Sequence, residues 1–113
     1  MSIYVEFSVL DSAERTTSGT GPLVKTLPNH EDHHNNVRAG LNVTASGGAT
    51  PTLDVTIEGR LGDAWYELAS FTQASGVTKE TININNAPDN IRAVWTIAGG
   101  GGETFTFNID AKR

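Results

Sequence analysis

The side chains best suited to chemistry in this sequence are its three histidines, gathered in His30-Glu31-Asp32-His33-His34. Imidazole and carboxylate ligands suit Zn, Ni or Cu. On one helical turn His30, His33 and His34 would share a face. Pro28, Asn29, Asn35 and Asn36 flank the cluster and favour a turn or loop, where spacing fixes no coordination geometry. The expectation is a solvated polar loop with no cofactor. His30, His33 and His34 stand as the metal candidates, through adventitious binding or a site shared at a subunit axis.

Other chemistries find less. The carboxylates Glu6, Asp11, Glu14, Asp54, Glu58, Asp63, Glu67, Glu80, Asp89, Glu103 and Asp110 are scattered, whereas glycoside hydrolysis needs two facing each other across a cleft. There is no Cys, and no Ser sits in a nucleophile elbow. Gly19-Thr20-Gly21-Pro22 and Gly99 to Gly102 precede no helical pattern, so neither makes a phosphate cradle. The second run is expected to close a hairpin. The sequon Asn42-Val43-Thr44 falls inside a strand pattern and is read as chance. The chain is expected to be no enzyme, with a metal-dependent enzyme built on the His loop as the alternative. Among the aromatics, Trp95 has the parity of a core residue, while Trp65 and Tyr66 are adjacent, so one of them must face outward. Tyr4 has the wet parity of its strand, and with Trp65 or Tyr66 it could form a sugar-binding platform or cover a subunit contact.

The elements that position these residues are strands. Ile3, Val5, Phe7 and Val9 alternate with polar neighbours, as do Val37, Ala39, Leu41, Val43 and Ala45. Leu53, Val55 and Ile57 follow the same period, then Ile82 and Ile84, then Ile91, Ala93, Trp95 and Ile97, then Phe105, Phe107 and Ile109. A period of two gives each strand one buried and one wet face. Gly, Pro, Asn and Asp punctuate the runs. About eight strands are expected, over 2–10, 20–26, 36–46, 52–60, 64–73, 78–85, 90–98 and 103–111. They make one all-β domain over 1–113, an antiparallel sandwich of jelly-roll or Greek-key type. Residues 11–21 are expected as an irregular loop or a sheet edge, and 27–36 as an irregular polar connection.

Length and charge narrow the partners. A chain of 113 residues supports one core. Thirteen acidic residues against 8 basic give a net charge of −5, which disfavours nucleic acid and anionic membranes. No stretch is apolar enough to span a bilayer. Met1 to Glu6 has neither a basic n-region nor an apolar h-region, so no signal peptide is expected. The absence of Cys fits a reducing compartment such as the cytoplasm. The wet positions are mostly Thr, Asn and short acids with few Lys, which leaves strand edges lightly protected. A homo-oligomer or a docked subunit is therefore expected.

Several stretches resemble the small β-sandwich structural proteins of tailed bacteriophages and prophages: Asn42-Val43-Thr44-Ala45, Thr50-Pro51-Thr52-Leu53-Asp54-Val55-Thr56-Ile57-Glu58-Gly59, Trp65 to Gln73, Ile91 to Ile97, Thr104 to Phe107 and Ser12 to Gly21. The segment 27–36 departs from that pattern. The resemblance implies a virion component, foremost a capsid decoration (cement) protein on the major capsid protein lattice, as an oligomer and by preference a trimer. A head–tail or tail accessory protein is the alternative within the class, and a carbohydrate- or receptor-binding module the alternative outside it. The docking elements it implies are the N-terminal segment (Ser2, Ile3, Tyr4, Val5 and Glu6) and the loop Asp11 to Gly21, within which Arg15, Thr16 and Thr17 are the candidates.

Overall fold

Alternation with a period of two builds the whole molecule. The computed structural model describes residues 6–26 and 36–113. Its strands are β1 (Glu6–Arg15), β2 (Gly19–Thr20), β3 (Val24–Lys25), β4 (Val37–Gly47), β5 (Thr52–Leu61), β6 (Ala64–Ser70), β7 (Thr78–Ile84), β8 (Asn90–Ala98) and β9 (Thr104–Lys112). The described residues contain no helix, and so none long and apolar enough to cross a membrane.

A four-stranded sheet has the order β1-β9-β4-β7, and a five-stranded sheet the order β2-β8-β5-β6 with β3 also on β8. Every pairing is antiparallel. Because β2 and β3 lie end to end along β8, the nine strands fill eight positions. The pairs nest inside one another. β5 pairs with β6, β4 with β7, β2 and β3 with β8, and β1 with β9, and successive pairs fall in alternate sheets. This is one long hairpin rolled up into two layers, the connectivity of a jelly roll. The expected all-β sandwich is the fold observed, and its connectivity is the jelly-roll one.

The core lies between the layers. Leu41, Val43, Phe105, Phe107 and Ile109 come from the four-stranded sheet, and Leu53, Val55, Ile57, Ile91 and Ala93 from the five-stranded one, all 2% exposed or less. Trp95 is buried as its parity implies, and its ring meets Phe107 edge-on, 5.9 Å between centroids at 77°. Such a pair adds about 0.5–1.5 kcal/mol beyond burial of area.

Three sequence expectations need correction. Of residues 11–21, the first part is an edge strand and not an irregular loop: β1 runs on to Arg15 at the edge of its sheet, pairing Ala13 with Phe107 and Arg15 with Phe105, and only 16–18 and 21 are irregular. Register shifts between Ser8 and Leu10 and between Leu10 and Ala13 put Val9 and Leu10 both inside, which breaks the alternation that marks a strand in sequence. The stretch 20–26 is two short strands and not one, interrupted at Gly21-Pro22, where Pro has no N–H for the ladder. Finally, Gly99 to Gly102 does not close a hairpin. β8 and β9 lie in different sheets, and the run carries the chain from one layer to the other. The expected strand segment 2–5 and most of the expected connection 27–36 lie outside the described residues.

Candidate docking surfaces

Register places the candidate residues at two opposite poles of the sandwich. Glu6 pairs with Lys112, and Lys112 pairs with Arg38 near the start of β4. Ile84, the last residue of β7, faces Val37. The connection from β7 to β8 is pinned at this pole, where Asn86 N donates to Asn36 Oδ1 and Thr26 N donates to Asp89 O. The β5–β6 hairpin ends here too, with Gly59 facing both Ile91 and Tyr66. Glu6, Trp65 and Tyr66 are therefore gathered at one pole. Arg15, Thr16 and Thr17 lie at the other, roughly 30 Å away along the length of β1. Ser2, Ile3, Tyr4, Val5, His30, His33 and His34 lie outside the described residues.

The β5–β6 hairpin is a two-faced ribbon. Trp65 pairs with Arg60 on its outer face. There the Arg92 guanidinium stacks 4.0 Å from the centroid of a Trp65 ring. The same guanidinium donates from Nε at 2.9 Å and from Nη2 at 2.8 Å to Glu58 Oε1. Tyr66, next in sequence, takes the opposite face, where it is 53% exposed; Leu61, two residues beyond its partner Gly59, is 59% exposed. Trp65 and Tyr66 thus do not form one platform. A sugar ring stacking on the Arg92 side of Trp65 would have to displace that guanidinium.

The ribbon is also anchored. Pro88 and Leu68 close over Gly59, leaving no room for a side chain there. Thr56 Oγ1 and Ser70 Oγ bond to each other at 3.1 Å, and Ser70 Oγ donates to Glu67 Oε1. Trp, Tyr and Arg are enriched in protein interfaces, where each covers a large area and keeps a polar group for a partner.

The opposite pole is built differently. Arg15 turns inward and caps the core. Its guanidinium sits 4.7 Å from the Phe107 ring and 5.1 Å from the Trp95 ring, and donates to the carbonyls of Asp11, Ala13 and Phe107. Burial lowers its pKa from the ordinary arginine value, and the charge of Asp11 opposes that shift. Trp95 Nε1 donates to Thr17 O, and Ser18 Oγ accepts from Ile97 N. Of the three candidates at this pole, Arg15 is committed to the fold, whereas Thr16 and Thr17 expose their side chains.

Among the described residues no group of three or more His, Asp or Glu is placed to hold a metal ion. Sequence reading missed the Arg92–Trp65–Glu58 group because its members are far apart in the chain, and only the order of β8, β5 and β6 brings them together. No known protein family has a model that matches this chain, and no curated protein matches it.

Proposed function

We propose that the chain is a non-enzymatic structural component of a tailed-phage virion, a capsid decoration protein that binds the major capsid protein lattice and stabilises the head. The observation that carries this reading is the β5–β6 ribbon, with Trp65 and Arg92 on one face and Tyr66 and Leu61 on the other, anchored to a rigid two-layer body. A ribbon with aromatic residues on both faces can insert between two neighbouring subunits of a shell. The stitched loops of the jelly roll then transmit load from one subunit to the next. The sequence resemblance supports the same reading. The chain acts as a homo-oligomer, by preference a trimer, so that each copy's modest contact is multiplied by avidity. It needs no cofactor, nucleic acid or membrane, and it resides in the virion after assembly in the host cytoplasm.

The test uses shells of the encoding phage that lack the protein. Added full chain is expected to co-sediment with them saturably, at a stoichiometry set by lattice symmetry, and to raise the temperature at which they open. A double variant, Leu61→Ser with Tyr66→Ala, should keep its own folding transition and lose most of the binding. Failure to bind shells, or finding the chain in tails alone by mass spectrometry of separated particles, would overturn the decoration role.

A further inference from the structure

The outer face of the four-stranded sheet carries a shallow depression of about 750 Å³, distinct from the β5–β6 ribbon. Its floor is Gly40, in the middle of β4, with Asp110 of β9 on one side and Thr81 of β7 on the other. Glycine inside a strand costs stability. Nothing in the fold demands it here. Its φ is not in the left-handed region, and an added Cβ would meet nothing nearer than Thr81 Cγ2 at 3.6 Å. A mid-strand glycine that neither packing nor backbone conformation requires marks a place where another backbone can come close.

Charge says what kind of backbone. Arg38 and Lys112 are neighbours on adjacent strands, and they join the depression to a smaller hollow of about 250 Å³ that adds Arg113, Asn83 and Asn85. Three of the chain's 8 basic residues thus meet at one corner of a molecule of net charge −5. Arg38 donates from Nη2 to the hydroxyl of Thr81 at 3.1 Å, a neutral partner. Arg113 Nε is buried, with no hydrogen-bond partner among the described residues.

We propose that this corner docks a short acidic segment of a partner protein. The segment's backbone lies over Gly40 and its carboxylates meet Arg38 and Arg113. Lys112, set between Arg38 and Glu6, is already engaged within the fold and the contact does not depend on it, and the amides of Asn83 and Asn85 supply neutral donors. The planar guanidinium fork matches a carboxylate in a way a point charge does not. Glu6, the register partner of Lys112, and Asp110, beside Gly40, balance the charge of the depression itself and select against a polyphosphate, whose charge continues in both directions. They admit a segment that carries one or two carboxylates on an otherwise neutral backbone.

The experiment needs no capsid, so its outcome is separable from that of the virion reading. Isotope-labelled full chain is titrated with a blocked Gly-Asp-Gly-Glu-Gly peptide and followed by amide chemical shifts, with parallel titrations of inorganic phosphate and a short oligothymidylate. The peptide should shift the amides of Arg38, Gly40, Thr81 and Asn83. Arg38→Glu, at an exposed side chain, should weaken it at least about tenfold, the effect of losing one charge-assisted pair. Gly40→Leu should block it while the folding transition persists; Arg38→Glu decides the matter if that variant does not fold. Shifts elsewhere only, or undiminished binding by Arg38→Glu, would overturn the proposal. Tighter binding of phosphate or oligothymidylate at the same amides would overturn it too, by assigning a phosphate site instead.

Discussion

Arg92 stacks on Trp65 at 4.0 Å while the same guanidinium donates twice to Glu58, so a cation, a ring and a carboxylate from β8, β6 and β5 are locked into one group across the outer face of the five-stranded sheet. The side chains of Arg92 and Glu58 are 28% and 24% exposed, which limits the worth of their ion pair. Arg92→Ala should lower stability by about 1 kcal/mol. A double-mutant cycle with Trp65→Leu, read by urea unfolding, should return a coupling of about 0.5–1 kcal/mol. Zero coupling would mean that the stacking does not persist in solution.

Gly19 gives Trp95 its seat. A Cβ on Gly19 would lie 2.7 Å from Trp95 Cζ2, and the indole cannot swing aside without losing its bond from Nε1 to Thr17 O. Gly19→Ala should therefore cost about 1–3 kcal/mol, the usual penalty of overpacking. The denaturation midpoint reports the loss, and a shifted indole N–H resonance would show that Trp95 is the residue that moves.

Arg15 closes the pole beside Trp95 with a planar group that reaches three carbonyls while covering two rings. Lysine keeps the charge but cannot reproduce the fork. Arg15→Lys should lose about 1–2 kcal/mol of stability, and Arg15→Met somewhat more. Equal stability of wild type and Arg15→Lys, measured by thermal unfolding, would reduce the role of the guanidinium to its charge alone.

Glu103 is 5% exposed at the inter-sheet Gly run. Its Oε1 accepts from Gly101 N at 2.8 Å, while Oε2 is buried with no hydrogen-bond partner among the described residues. Glutamine retains the useful acceptor and removes a charge held away from water. Glu103→Gln should leave stability unchanged or raise it by up to about 1 kcal/mol, whereas Glu103→Ala should lower it by about 1–2 kcal/mol by orphaning Gly101 N. A calorimetric comparison of the two variants separates the effects. A large loss in Glu103→Gln would show that the carboxylate charge is needed there.

Where a strand carries no bulge residue of its own, its inner face was legible from the amino-acid order alone. Leu53, Val55 and Ile57, or Phe105, Phe107 and Ile109, are buried because successive side chains must point to opposite sides of a pleated strand. The same rule placed Trp95 inside and separated Trp65 from Tyr66. It fails in β4, where a bulge between Val43 and Ala45 turns Ala45 outward, and in β1, where bulges spend residues without advancing the partner strand, and so Asp11 to Arg15 read as a loop or an edge. It is silent on which strands become neighbours. That Gly99 to Gly102 spans two layers, that Arg92 covers Trp65, and that Gly40 faces the same side as Arg38 and Lys112 all depend on pairings between residues far apart in the chain. Periodicity is a local property of the backbone, set by steric repulsion within each residue. Strand order is decided by which greasy faces pack best once the whole chain has collapsed, and no short window of sequence contains that competition.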